Sequence, residues 1–494
     1  MEAPLPADWL PPGIASPRKA DRRSRMQFAA LAACVGLAVF WNGGFEPGPR
    51  LAFAILAGAA LLLTDRRSAG PFVTDPIVIG LLALAALSAL SSLWTVASGE
   101  DALRWGLVIT AYAAVVVIAG SVTVRLGLLG PVALIAVVAL AAGALGVVAA
   151  TLGSAPMAER IGGSWRAGGP FQYPPALALA EIAALPAFCA AMCSRKTALV
   201  AAGALGWSLA AAVIALADSR TSLAIALLAL LTLLASPMPG LTRSRQLAAT
   251  ALFAAVAAAV QITVGGVVDG PDRGAPELLS VIAIAAAAVA IWLWIARRLP
   301  SAAGAAGARA ALPARAGALL AVAGIAVIAL AVTAPEGGGI EPVKGFAHGR
   351  EKQWEAALDV FGRRPLAGSG AESYLTASLG DQGRHPVRYA HSMPLETAAE
   401  LGLLGLIALA TVGAGVALAL WRTRGTPGFW LLAPGAAALP LSGLVDWSWH
   451  LAGVGALWAV AAGALIAIAQ SPRPRADPRG ALLTSAAVNK EGRS

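Results

Sequence analysis

What most constrains this chain is a succession of fourteen apolar runs. They lie at about 26–42, 51–64, 76–96, 102–121, 126–151, 174–193, 197–217, 221–236, 246–267, 278–296, 316–334, 394–420, 428–445 and 450–470, parted by short polar segments. A bilayer core takes about 20 apolar residues per helix and leaves no water to satisfy an unpaired backbone group, so such runs read as membrane-spanning helices. Several runs fall short of that length, which suits half-spans for one or two of them. The expected fold is therefore all-α, a polytopic transmembrane bundle of about 12–14 spans. Composition points the same way, with 58% hydrophobic and 13% charged residues and a mean hydropathy of +0.75. The net charge of +10 does not indicate nucleic acid, because Lys and Arg stand in small clusters between apolar runs. Cys34, Cys189 and Cys193 sit inside those runs with neither metal-ligand nor disulfide spacing.

The runs divide the chain into five parts: a Pro- and charge-rich tail (1–25), N-terminal transmembrane helices (26–334), one long loop (335–393), C-terminal transmembrane helices (394–470) and a second tail (471–494). Both tails lack periodicity and are expected to be disordered. With the N-terminus on the cytoplasmic side, cytoplasmic segments collect 23 of the 36 Lys and Arg residues, and seven of the remaining 13 fall in the long loop, whose length partly exempts it from the charge rule. This predicts a multi-pass protein of the cytoplasmic (inner) membrane with both termini inside, the loop outside, and His348, His385, His391 and His450 all on the outer side. No convincing cleavage site follows the basic cluster Arg18–Arg25, so the first span is expected to remain as an anchor. Within the loop, Trp354, Ala357, Leu358 and Phe361 recur at helical spacing and predict an amphipathic helix on the membrane surface, ended by Gly362 and Pro365. A short helix near 372–379 and a strand-like run, DQGRHPVRYAH, follow.

The loop runs into the next span through RHPVRYAHSMPLETAAELGLLGL, residues 384–406. Ser392 suits a helix N-cap and Pro394 the first turn. Ser392, Glu396 and Glu400 then share one helix face, with Glu400 roughly 12 Å below Ser392. Carboxylates on a membrane helix are costly and face a cavity or a partner, so this stripe is a candidate site. Two further polar clusters are expected on the same side. One is Arg160, Arg166, Gln172 and Tyr173; the other is Asp218-Ser219-Arg220-Thr221, squeezed between two spans. Arg220 either snorkels to the headgroups or pairs with Asp218. Arginines near a helix N-terminus make a good diphosphate cradle, since guanidinium forks match phosphate oxygens and the helix dipole adds to them; Arg166, Arg220, Arg384 and Arg388 are the candidates for a lipid-linked diphosphate.

The run His391-Ser392, Leu395, Glu400, Gly402 resembles the signature of the O-antigen ligase and O-antigen polymerase superfamily. WRAGGPFQYPPALA is similar to that superfamily's Arg-x-x-Gly-x-Phe-x-x-Pro-Asn segment, with Pro175 in place of the asparagine, and Ser219-Arg220 to its Ser-Arg pair. REKQWEAALDVFGRRPLAGSGAESY is similar to the start of its periplasmic loop. The resemblance spans roughly 160–450 and implies an integral-membrane glycosyltransferase. Such an enzyme moves a glycan from an undecaprenyl diphosphate carrier to a glycan, lipid or protein acceptor at the outer face, with no metal or other cofactor. No Asp-x-Asp or paired-acid cluster in an outer loop speaks for a divalent ion. An inverting displacement needs a base. His391, with an ordinary pKa near 6.5, is the first choice, and the alternative is that it only binds phosphate. Glu400, the other candidate catalytic residue, is expected to orient His391 or the loop arginines.

A secondary transporter is the rival from another class. Against it stand the absence of an internal repeat, the few intramembrane charges, of which Glu181 is the clearest, and the 59-residue outer loop. A metal-dependent sugar transferase would want an acid pair in the first outer loop, where Asn42–Arg50 offers only Glu46. Ligase and polymerase differ only in the acceptor, which the sequence leaves open.

Overall fold

A computed structural model describes residues 21–161, 163–235, 242–265, 274–299, 350–382 and 386–471. Apart from one two-stranded hairpin the described chain is helical, as expected of a polytopic all-α membrane protein. Nine of the described helices are long and apolar enough to cross a bilayer. The N-terminal helices are α1 (Arg22–Phe40), α2 (Pro47–Leu62), α3 (Arg66–Val73), α4 (Pro76–Leu90), α5 (Gly99–Leu126) and α6 (Leu129–Leu152). The hairpin of β1 (Ala158–Ile161) and β2 (Ser164–Ala167) precedes α7 (Pro174–Ala191), α8 (Thr197–Ala217), α9 (Arg220–Ala235), α10 (Arg243–Val260) and α11 (Ala275–Arg298). The loop carries α12 (Glu351–Arg363) and α13 (Tyr374–Ser378), and α14 (Met393–Thr423), α15 (Pro427–Gly443) and α16 (Ala452–Gln470) complete the bundle. Every apolar run has its helix except 316–334, which lies outside the described residues, as do nearly all of both tails.

The bundle is built around α5 and α16. Of their most apolar windows, 83% and 94% of the residues are buried, against 17% for α11, which leaves α11 at the periphery. Small residues make the central contact close: a Cβ on Gly463 would run into the Val116 carbonyl, and one on Gly455 into the Tyr112 ring. At one end of the bundle, Gln27 bonds Thr64, Arg125 pairs with Asp65, and Gln470 reaches the Pro71 carbonyl, so both ends of the described chain meet there. The turns predicted to be outer gather at the other end. There Gln172 bonds Asn42, the Val96 N–H donates to the Ser369 carbonyl, and Arg50 pairs with Glu372.

One helix departs from the expected shape. α14 breaks at Gly402, which has φ 63° and ψ −156°. A break inside a membrane helix frees backbone groups that need new partners. Residues 365–370 of the loop supply them: Leu403 N–H donates to the Pro365 carbonyl (2.8 Å), Gly370 N–H to the Glu400 carbonyl (2.8 Å) and Ser369 N–H to the Ala399 carbonyl (3.0 Å). A Cβ at position 402 would lie 2.5 Å from the Leu366 carbonyl carbon, so both the backbone conformation and the close approach require glycine here.

The loop thus inserts along α14. The expected amphipathic helix of the loop, α12, packs on α14, burying Ala356, Ala357 and Val360 while Leu358 stays exposed. α13 forms near its expected place. The strand-like run makes no strand in its described parts, 381–382 and 386–391, where backbone donors and carbonyls are taken by side chains instead.

Candidate functional site

Ser392 occupies the N-cap position of α14, yet its side chain makes no capping bond. Glu396 performs the equivalent task one turn on, where its Oε2 accepts the Ala390 N–H at 2.7 Å. Glu400 accepts the backbone N–H groups of Glu372 and Tyr374, each at 2.9 Å. Both its oxygens are therefore engaged in holding the loop backbone. Such a brace reaches below the helix start because the loop descends beside α14 to meet it.

Above Glu400 lies a buried charge cluster. His450, in the turn between α15 and α16, directs Nδ1 to Glu372 Oε1 (3.2 Å) and Nε2 to Glu396 Oε1 in a short contact. Its ring is sandwiched between Tyr389 (centroids 4.1 Å apart) and Trp105 (4.7 Å). Arg50 bonds Glu372 (3.4 Å) and the His450 carbonyl (3.1 Å), and its guanidinium lies 5.2 Å from the Trp105 ring centre. Arg388, half-exposed, closes the far side of Glu372 at 3.3 Å. Burial opposes charge on Glu372. The hydrogen bond and charge of His450, with Arg50 and Arg388, outweigh it and hold the carboxyl down at about 2. Burial likewise opposes charge on His450, but Glu396 and Glu372 raise it to about 9.

His391 follows Tyr389 by two residues and has φ 54°, a left-handed conformation uncommon for a residue with a side chain. Its Nδ1 lies 3.0 Å from the Tyr389 carbonyl. A carbonyl only accepts, so Nδ1 carries the hydrogen and the neutral ring leaves Nε2 as a bare acceptor. Burial first, and then the charge of Arg350, pushes this imidazole below its ordinary value, with Asp446 opposing. Arg350 is anchored on the Val445 carbonyl, and Asp446 takes a 2.6 Å hydrogen bond from Tyr173. The ring of Trp447 stacks on Tyr389 at 5.1 Å, and the buried Tyr389 hydroxyl has no hydrogen-bond partner among the described residues.

The structure assembles some of the expected residues and separates others. Arg388, His391 and Glu400 surround one stretch of loop. Arg166 and Arg220 stand together at the α8–α9 junction, where Asp218 pairs with Arg166 at 2.7 Å and Arg220 is exposed. Arg384 and His385 lie outside the described residues. Arg50, Glu372 and His450 were not singled out from the sequence as site residues. The one signal for His450 was a histidine closing the aromatic run DWSWH at a span boundary. Among the described residues no group of three or more His, Cys, Asp or Glu side chains is disposed to hold a metal ion.

Residues 278–410 match the family model described as O-antigen ligase. The match supports the O-antigen ligase superfamily. It supports, in general terms, a membrane glycan ligase or polymerase. No curated protein matches the chain. Inside the O-antigen ligase match lie Arg388, His391, Glu396, Glu400 and Gly402, the residues that join the loop to α14; Arg50, Arg166, Arg220 and His450 lie outside it.

Proposed function

We propose that the protein is a metal-independent glycosyltransferase of the cytoplasmic membrane. It transfers or polymerises a glycan from undecaprenyl diphosphate onto an acceptor hydroxyl at the outer face, with both termini cytoplasmic. The observation that carries this reading is the His391 ring, which lies within the O-antigen ligase match and whose Nε2 is bare when the ring is neutral. In the proposed step the acceptor oxygen bonds the anomeric carbon as the bond to the diphosphate breaks. The acceptor proton passes to His391 Nε2, and arginines take up the charge of the leaving diphosphate. Arg166, Arg220, Arg384 and Arg388 are assigned to the donor diphosphate.

An apolar cleft supports a lipid-linked donor. It runs between α7, α9 and α15 and is lined by Ile182, Ile225, Leu228, Ala433 and Leu441. Leu441 lies one turn before Val445, whose carbonyl anchors Arg350. An isoprenoid chain in this cleft would bring its head group to the end of the bundle that carries Arg220 and His391.

The test is to incubate purified protein with an undecaprenyl diphosphate-linked oligosaccharide. The acceptors offered are the carrier-linked oligosaccharide itself, a glycolipid or a protein. Release of undecaprenyl diphosphate with growth of one product is expected and identifies the acceptor class. If proteoliposomes instead move the intact lipid-linked oligosaccharide between leaflets with no product formed, the protein is a carrier.

A further inference from the structure

His450 belongs to the last turn of the outer end, 59 residues beyond His391, yet it touches both the loop and the helix that meet at His391. We propose that His450 is a positioning residue of this site, clamping Glu372 and Tyr389 of the loop against Glu396 of α14 and so fixing the backbone on which His391 is presented. The inference rests on the assignment of His391 to the reacting centre.

A neutral imidazole has a single N–H, whereas both ring nitrogens of His450 face carboxylate oxygens. Two acceptors are satisfied together only by the imidazolium. Every charged or titratable group packed around it favours or tolerates that cation. Glu372 and Tyr389 come from the loop and Glu396 and Glu400 from α14; Arg50 from α2 is turned to the His450 carbonyl and Glu372; and Tyr112 from α5 donates to the Trp449 carbonyl. Arg388 is turned to Glu372 instead.

The clamp acts through three short connections. Glu396, held by His450 on one oxygen, accepts the Ala390 N–H on the other, one residue before His391. Tyr389, stacked on the His450 ring, provides the carbonyl that fixes His391 Nδ1. Glu372, held by the other ring nitrogen, receives Arg388. Removing the cation leaves two buried carboxylates facing each other, so the segment 388–391 loses its seat and His391 its left-handed backbone.

The experiment measures kcat and KM for release of undecaprenyl diphosphate from the lipid-linked oligosaccharide, from pH 5 to 10, for the full-length protein and its His450→Gln, Glu372→Gln and His391→Ala variants. Hydrogen exchange of the peptide covering 386–392 is followed in parallel. His450→Gln is expected to lower kcat about 10²-fold with donor KM within about threefold, the cost of a misplaced reacting group. It should also remove the alkaline limb of the wild-type profile and raise exchange in 386–392, which His391→Ala should not do. Glu372→Gln, which keeps shape and one acceptor, is expected to show the same pattern more weakly and serves if His450→Gln does not fold. An unchanged alkaline limb together with unchanged exchange in a folded variant overturns the inference. Full activity of His391→Ala overturns the assignment of His391 instead, and the exchange difference still reads the clamp.

Discussion

Two histidines stand at the same end of the bundle, one stacked on the Tyr389 ring and the other bonded to its carbonyl, and their surroundings drive their charge states apart. His391 is half-buried beside Arg350 and bonds only a carbonyl, so its charged form is disfavoured. His450 is enclosed by aromatic rings and faces two carboxylates, so its charged form is favoured although burial opposes it. A site that needs both a base and a fixed cation near neutral pH can obtain them from one residue type by environment alone. The neutral ring has a lone pair to offer to a proton; the charged ring has none and can only hold its neighbours in place.

The strongest way to break this comparison is to remove the neutral member. His391→Ala is expected to reduce turnover by about 10²- to 10⁴-fold while donor affinity stays near wild type, as for a lost general base. Turnover in the wild type should fall only on the acid side of the ordinary imidazole range, where this ring, lowered by burial and by Arg350, finally becomes charged. A matching loss of donor affinity, measured by direct binding of the lipid-linked oligosaccharide, would make His391 a phosphate ligand instead.

Stability against pH sharpens the same contrast from the folding side. A raised folded pKa means that the contribution of His450 is complete below its unfolded value of about 6.5 and is lost as the pH rises through about 9. For His391, lowered on folding, the sign is reversed: stability falls as the pH drops below about 6.5, where the unfolded chain binds the proton more readily. The carboxyl of Glu372, lowered to about 2, contributes above its unfolded value of about 4.5 and loses that contribution only toward about 2. Stability against thermal unfolding in detergent should therefore be greatest near neutrality, with an alkaline decline on the order of 2 kcal/mol that disappears in His450→Gln. A decline of the same size in that variant would assign it to another group.

The helices and the loop–helix junction were legible because they rest on local pattern. Apolar run length marks the spans, and His391, Glu396 and Glu400 fall in one short stretch of sequence at helical spacing. Partner choice was not legible. Arg50 meets Glu372 across 322 positions and His450 meets Glu396 across 54, and no local spacing encodes either pair. The break at Gly402 escaped for a related reason. A glycine in an apolar helix is tolerated for many reasons, and only the loop at Pro365–Gly370 shows that this one receives a second chain. Local sequence left Arg220 open between an Asp218 pair and the headgroups, and it could not show that Asp218, in the left-handed cap of α8, pairs with Arg166 on the hairpin.

The smallest expected effect lies at that hairpin and tests whether donor binding is separate from both histidines. Asp218 already pairs with Arg166, whereas Arg220 is exposed at the start of α9, five residues before Ile225 of the apolar cleft. Of the two arginines, Arg220 is thus the one whose guanidinium fork would meet an arriving diphosphate. Lysine keeps the charge and loses the paired geometry, so Arg220→Lys removes about one charge-assisted hydrogen bond, roughly 1–1.5 kcal/mol. Donor KM should rise about fivefold to tenfold with kcat and both limbs of the pH profile unchanged, because neither histidine's surroundings include Arg220. An unaltered KM would return Arg220 to the lipid headgroups, and a shifted pH limb would show that the donor arginines and the histidine pair act as one unit.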